Sequence, residues 1–409
     1  MKKLSSISPA LKFIILLGIV SLFADMTYEG ARSVTGQYLA IFGASATVVG
    51  VIGGLGEFVG YGVRIIFGSL ADRTRRYWTI TILGYILNLL AVPLIALTSH
   101  WEIAAILIIA ERFGKAIRTP ARDVMLSYAA KEVGRGWGFG IHEAMDQTGA
   151  VIGPIIVSAV LYLKSNNYSG GFAILSIPAL LALSTLVLSR KLYPTPSDFE
   201  RNSLDAFQKP ASDNQHKVKE EEANIKFPRI YWIYLMFVAV SVGGYVNFQL
   251  ISYHFKVNSI VSDPQIPILF AVAMGIDALV ALIVGRLFDK SGLLILIVVP
   301  ILSIPIAPLV FSIGYSGAAV IGMILWGAVM GIQDTVMRAI IANIAPITKR
   351  GLAYGIFNGV YGGSWFIGST FMGVLYDVST LYVIFFAIIV ELSSFPLLFN
   401  VVKRIEHIV

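Results

Sequence analysis

Gly68-Ser-Leu-Ala-Asp72-Arg73 closes one long apolar run, and Gly285-Arg-Leu-Phe-Asp289-Lys290 closes another. The register from Asp72 to Asp289 is 217 residues. A second echo pairs Gly138-Phe-Gly-Ile-His-Glu-Ala-Met-Asp146 with Ala353-Tyr-Gly-Ile-Phe-Asn-Gly-Val-Tyr361, and its register from Asp146 to Tyr361 is 215. Two nearly equal offsets within 409 residues indicate duplication of one unit. The repeat predicts two helical domains facing each other across a central cavity, which rock to expose it to either side.

Composition agrees. Hydrophobic residues make up 56% of the chain and charged ones only 13%, a balance outside the soluble range. A bilayer core of about 30 Å takes about 20 apolar residues per helix. Segments that meet the requirement lie at 11–40, 46–71, 78–98, 101–119, 137–163 and 170–190, then at 229–255, 264–289, 292–313, 316–345, 351–375 and 380–402. The expected domains are therefore 1–190 and 229–409, each a six-helix bundle. Residues 191–228, with Pro194, Pro196, Pro210 and the acidic run from Glu220, read as a solvated linker between them.

If the segments alternate, Arg73, Arg75, Arg76, Lys131, Arg135, Lys290, Lys349 and Arg350 all fall on one side, with Lys2, Lys3, Lys403 and Arg404. The opposite loops at 42–47, 314–317 and 377–380 carry almost no positive charge. Both termini are expected to be cytoplasmic, in a multi-pass protein of the cell (plasma) membrane. The net charge of +7 follows from this topology and does not point to nucleic acid. The chain has no cysteine, so thiol catalysis and thiolate metal sites are excluded.

The stretch Gly68-x-x-x-Asp72-Arg73-x-x-Arg76 resembles the signature loop of the major facilitator superfamily, with Arg75 where the family usually has glycine. The resemblance spans essentially the whole chain and implies that family's all-α fold of two pseudo-symmetric six-helix bundles. It also implies that Asp72, Arg73 and Arg76 latch the cytoplasmic side, Gly68 permitting close approach and Asp289 repeating the device. On the fifth segment, Gly140, Gly149 and Gly153-Pro154 resemble the motif of the drug:proton antiporter branch, with Val157-Ser158 replacing its closing Gly-Gly. Glycines so spaced let helices pack closely, and Pro154 removes a backbone donor.

An ionised side chain at mid-bilayer costs about 2.5–3.5 kcal/mol, so each needs a partner, water or a task. On the first segment Asp25, Glu29 and Arg32 share one face at i, i+4, i+7, and Glu29 and Arg32 are spaced to pair. The second segment adds Glu57, the fourth Arg112, the fifth Glu143 and Asp146. By helical rise Asp25 and Arg112 lie near mid-membrane and Asp146 about 13 Å in, which makes the three expected neighbours. Arg64 and Arg118 count as near the cytoplasmic surface. Asp25, Glu29 and then Asp146 are the leading proton-coupling candidates. In the second half Asn247, Gln249, Asn358, Tyr361 and Trp365 are expected to form a weakly polar cavity wall.

The activity expected is secondary active transport of a small-molecule substrate, first as proton-coupled efflux of an amphipathic or cationic solute. Coupled uptake of a hydrophilic metabolite, with Arg112 or Lys115 holding an anionic group, is the alternative; a non-transporting membrane sensor is a third. No Gly-Lys-Ser/Thr phosphate loop and no His-Glu-x-x-His pattern occurs, so neither ATP-driven transport nor a metalloprotease is expected. No cofactor, metal or enzymatic activity is expected, and a monomer is the default, because the repeat encloses its own cavity.

Overall fold

The structure, a computed structural model, describes residues 8–199, 227–312, 314–346 and 349–406. Twelve helical spans run through them. In chain order they are α1 (Pro9–Ile41), α2 (Ala46–Thr74), α3 (Tyr77–Ile95), α4 (Trp101–Val133), α5 (Arg135–Leu163), α6 (Tyr168–Leu192), α7 (Arg229–Val257), α8 (Gln265–Ser291), α9 (Leu294–Phe311), α10 (Ser316–Ile344), α11 (Arg350–Val378) and α12 (Thr380–Glu406). Of the expected linker, 200–226 lies outside the described residues.

Local chemistry sets the ends and breaks. The Ser8 side chain accepts from the Leu11 N–H at 3.2 Å and Pro9 occupies the first turn, a favourable start for α1. At 33 residues α1 is about 50 Å long, more than the hydrocarbon core requires. Arg75 ends α2 in the left-handed region at φ 54°. Pro300, Pro305 and Pro308 divide α9 into short pieces, because proline cannot donate to the preceding turn. In α7 the helix breaks after Gly244 and restarts at Phe248, where the Asn247 side chain accepts from the Leu250 N–H at 3.2 Å. One widened turn, Gln333–Met337, interrupts α10 and carries Asp334.

Ten of these spans are long and apolar enough by themselves to cross a membrane. The other two are α4, which carries Glu111, Arg112, Lys115 and Arg118 mid-span, and α11, which is rich in glycine. The fourth segment also corrects the sequence expectation. It runs on to Val133 rather than stopping near 119, because Ala121, Ala129 and Ala130 sustain the helix after hydropathy has fallen.

Two large apolar cores form, one mainly among α1 and α3–α6 and one mainly among α7–α12, with a small third around Ala71, Ile80 and Ala121. Leu97, Leu282 and Ile66 point outward, as lipid-facing side chains do. Where the halves meet, α1 packs on α7, α2 on α11 and α5 on α8. Advancing each helix by six exchanges the last two pairs, so the interface keeps the pseudo-twofold relation of the repeat.

The interface is tightest at the end away from the termini. A Cβ on Gly36 would fall on the Gln249 carbonyl oxygen, and one on Gly50 on that of Ser369. Glycine is required at both positions because the helix backbones nearly touch. Toward the end bearing Pro9 and Glu406 the halves separate around a cavity.

Candidate solute and coupling site

The cavity has a volume of about 520 Å³. Helices α1, α2, α4 and α5 supply most of its wall; α8 and α10 add Met274, Asp277, Met330, Asp334 and Arg338. Eight carboxylates and seven Arg or Lys residues are among the 27 lining residues, so the interior is densely charged and close to neutral.

Its deep end is an ion network. Arg32 Nη2 lies 3.0 Å from Glu57 Oε1, and Arg32 Nη1 lies 3.6 Å from Glu29 Oε2, the i, i+3 pair read from the sequence. Glu57 Oε1 is also 3.7 Å from Arg112 Nη2. Arg112 Nε in turn lies 3.2 Å from Glu111 Oε2, while Asn88 Nδ2 donates to Glu111 Oε1 at 2.8 Å. Glu57 is thus the carboxylate shared by two buried guanidiniums. Arg112 pairs with Glu57 and Glu111, not with Asp25 or Asp146 as depth alone suggests. Depth sets level on a helix; the rotation of α4 turns Arg112 toward α2 and α3.

Asp25 and Asp146 face each other on α1 and α5. Gly149 permits this, since a Cβ there would lie 3.0 Å from the Asp25 Cβ and on the Leu22 carbonyl. Gly153 repeats the approach one turn on, against Met26, just before Pro154 within α5. Asp25 is 5% exposed, and each of the two aspartates has one buried oxygen, Oδ1, without a hydrogen-bond partner among the described residues. Arg122 Nη1 donates to Ser21 Oγ at 3.0 Å while holding Asp123 at 2.8 Å. Buried His142 and rim-exposed Glu143, which accepts from Gln147 at 3.3 Å, complete this wall.

Other sequence candidates take different places. Gly140 lines the cavity, and a Cβ there would meet nothing within 4 Å, so it is not a packing glycine like Gly149 and Gly153. Asp72, Arg73 and Arg76 are exposed at the open end, and Gly68 meets only Pro120. The side chain of Asp289 lies outside the described residues.

None of Asn247, Gln249, Asn358, Tyr361 and Trp365 is among the residues lining the main cavity. Asn247 caps the second part of α7 and donates to Ser369 Oγ at 3.2 Å. Gln249 faces a small recess behind Arg112. Tyr361 donates to Gln333 Oε1 at 3.3 Å and packs edge-on against Tyr61, with centroids 5.0 Å apart. Trp365 is buried beside Tyr245, and Asn358 is partly buried on the same helix. The physical reason is that α11 leans on α2, which occupies the face the repeat would have turned inward. Asp277, Asp334 and Arg338 line the cavity instead, with Arg338 Nη2 3.3 Å from Asp334 Oδ1. A lone carboxylate in the apolar run of α8 is the sequence signal for Asp277.

The family model for the Major Facilitator Superfamily matches residues 17–369 and 260–406. An uncharacterized protein of Mycobacterium tuberculosis is 37% identical over 404 residues, which cover 98% of this chain and 96% of that protein. An uncharacterized MFS-type transporter of Methanocaldococcus jannaschii is 25% identical over 376 residues, covering 90% and 89%. Among solved structures, the nucleoside transporter NupG superposes with a TM-score of 0.69 at 14% identity, over 96% of this chain and 98% of that one. A bacterial homologue of the human lysosomal transporter Spinster, inward-facing and unoccupied, gives 0.67 at 16% identity, over 91% and 84%. Likeness at such identity speaks for the fold alone. With twelve spans in two related halves around a charged central cavity, this chain belongs to the Major Facilitator Superfamily and is a multi-pass membrane transporter of that type.

Proposed function

We propose that this transporter moves a small hydrophilic, charged solute by alternating access, and that a proton exchanged at the Asp25–Asp146 pair is the coupled ion. The carrying observation is that pair: two carboxylates on different helices, held together by Gly149, each with an unpartnered oxygen and neither within ion-pair distance of a cation among the described residues. A carboxylate pair on the wall of such a cavity can take up and release a proton as water reaches it from one side and then the other. The better-neutralised Glu29 and Glu57 fit a structural part, fixing α1, α2 and α4 to one another.

The lining bears on the solute. Lipophilic compounds are held in mostly apolar pockets, and here fifteen of 27 lining residues are charged. This moves the reading from efflux of an amphipathic or cationic compound to the alternative drawn from the sequence, coupled uptake of a hydrophilic metabolite. Two rigid bodies, 1–190 and 229–409, would rock about the closed end, with both termini in the cytoplasm of a cell whose plasma membrane holds the protein.

Proteoliposomes loaded with a pH dye test this. Addition of small acids, amino acids and sugars should acidify the lumen for one class, and Asp25→Asn and Asp146→Asn should remove the signal at equal reconstitution. Alkalinisation instead would overturn uptake in favour of antiport. An undiminished signal in both variants would overturn coupling at this pair.

A further inference from the structure

Arg118 is 1% exposed, yet it lies along the cavity wall. Its guanidinium stacks over Tyr85 at 4.2 Å and reaches Tyr28 at 5.6 Å. Arg32, Arg112, Arg122 and Arg338 each have a carboxylate within 4 Å; among the described residues Arg118 has none, and its Nε and Nη1 lack hydrogen-bond partners. Arg64 is likewise without a carboxylate, but it is less buried and rests on Tyr61. One turn from Arg118, the Lys115 Nζ lies 4.0 Å over the Tyr28 ring, with only a long 3.9 Å approach to Glu29.

Two cations on one face of α4 therefore converge on Tyr28. The place is rigid: a Cβ on Gly84 would lie 2.6 Å from the Arg118 backbone nitrogen, so α3 and α4 touch at this level. Buried charge without a partner is costly, and stacking on rings does not use the N–H edge of a guanidinium. Such an edge matches the two oxygens of a carboxylate or phosphate.

We propose that the niche formed by Tyr28, Lys115 and Arg118, with Tyr85 buried behind the guanidinium, receives the acidic group of the transported solute, which is a small oxyanion-bearing metabolite. The assignment rests on reading the cavity as the solute site and gives that reading a chemical class. It also accounts for coupling. Asp25 lines the same cavity as Lys115 and Arg118, one turn along α1 from the Tyr28 ring on which both cations converge, with Asp146 on α5 in the same wall. Asp25 is the resident counter-charge. A proton on Asp25 removes that charge, so proton and oxyanion enter together.

The test is binding to purified protein without any gradient, followed by thermal unfolding. The probes are acetate, glycine, glycerol 3-phosphate and inorganic phosphate, with ethanolamine and glycerol as cationic and neutral counterparts. At least one oxyanion should stabilise the protein, with affinity reduced about tenfold or more in Arg118→Gln and less in Arg118→Lys. Unchanged oxyanion affinity in a folded Arg118→Gln, or binding of ethanolamine alone, would overturn the proposal. Should Arg118→Gln not fold, Thr119→Cys in this cysteine-free chain reports beside an intact Arg118. An anionic thiosulfonate should then react faster than a cationic one and be slowed by the bound oxyanion; the reverse order, or no protection, overturns the proposal. Because no gradient is involved, oxyanion binding that depends on Arg118 while Asp25→Asn still couples normally sinks the coupling role given to Asp25 and supports the niche as the oxyanion site.

Discussion

Asp377, at the last turn of α11, accepts hydrogen bonds from the backbone N–H groups of Ala46 and Thr47 at the first turn of α2, at 3.0 and 2.9 Å. The Thr47 hydroxyl adds a third at 2.6 Å. A carboxylate placed on a helix N-terminus satisfies donors that have no partner within the helix and complements the helix dipole. Here the two partners belong to different halves, so the contact clasps the closed end.

Loss of this clasp should favour opening. Asp377→Ala should weaken closure by about 1 kcal/mol, the usual worth of a capping side chain at an exposed site. Spin labels on Ile41→Cys and Val378→Cys, both exposed, should give a longer and broader distance distribution in the variant. An identical distribution would remove Asp377 from the closing device.

The carboxylates of the cavity should separate into two classes by stability. Glu57→Gln breaks a network between two buried guanidiniums and should cost about 3 kcal/mol, visible as a lower unfolding temperature. Asp25→Asn removes a carboxylate that has no cation within 4 Å among the described residues and should change stability by about 1 kcal/mol or less. Equal losses would show that Asp25 is as structural as Glu57.

Much of the fold is legible in the sequence, and the exceptions have physical reasons. Helix positions follow from apolar runs of bilayer length, and the spacing of Asp25, Glu29 and Arg32 puts them on a common face. Arg118 reads as near the surface because depth is counted from hydropathy, which ends well before α4 does at Val133. The repeat turns Tyr361 and Asn358 inward, yet it carries no record of which helices lean together in one state. Asp377 leaves no signal at all, since a carboxylate at an exposed helix end is common and its partners lie 330 residues away.

Glycines that resemble one another in sequence should respond differently. Gly149→Leu should abolish transport and lower stability, because even a Cβ there meets the Leu22 carbonyl. Gly140→Ala, which extends into open cavity, should leave both near wild type. Matched transport assays and melting curves on the two variants decide it, and equal damage would mean Gly140 packs in another state.

Gly36→Val should trap the carrier with its closed end unable to form, since the added carbons meet Gln249 and Ser252 of α7. The expected readout is a folded protein with lost turnover and with Ile41→Cys and Val378→Cys labels held apart. Turnover at the wild-type rate would place the closing contact elsewhere.

The seam where Gly36 and Gly50 meet the backbone of α7 and α11 also has an electrical consequence. A wide, charged cavity carries the potential of the side it opens to down as far as Arg32 and Glu57. The membrane voltage must then fall across the thin far-end seam, where the local field is strongest. One elementary charge crossing 100 mV corresponds to about 2.3 kcal/mol. A bound charge can therefore do electrical work while scarcely moving, simply because the seam opens on one side of it and the cavity shuts on the other.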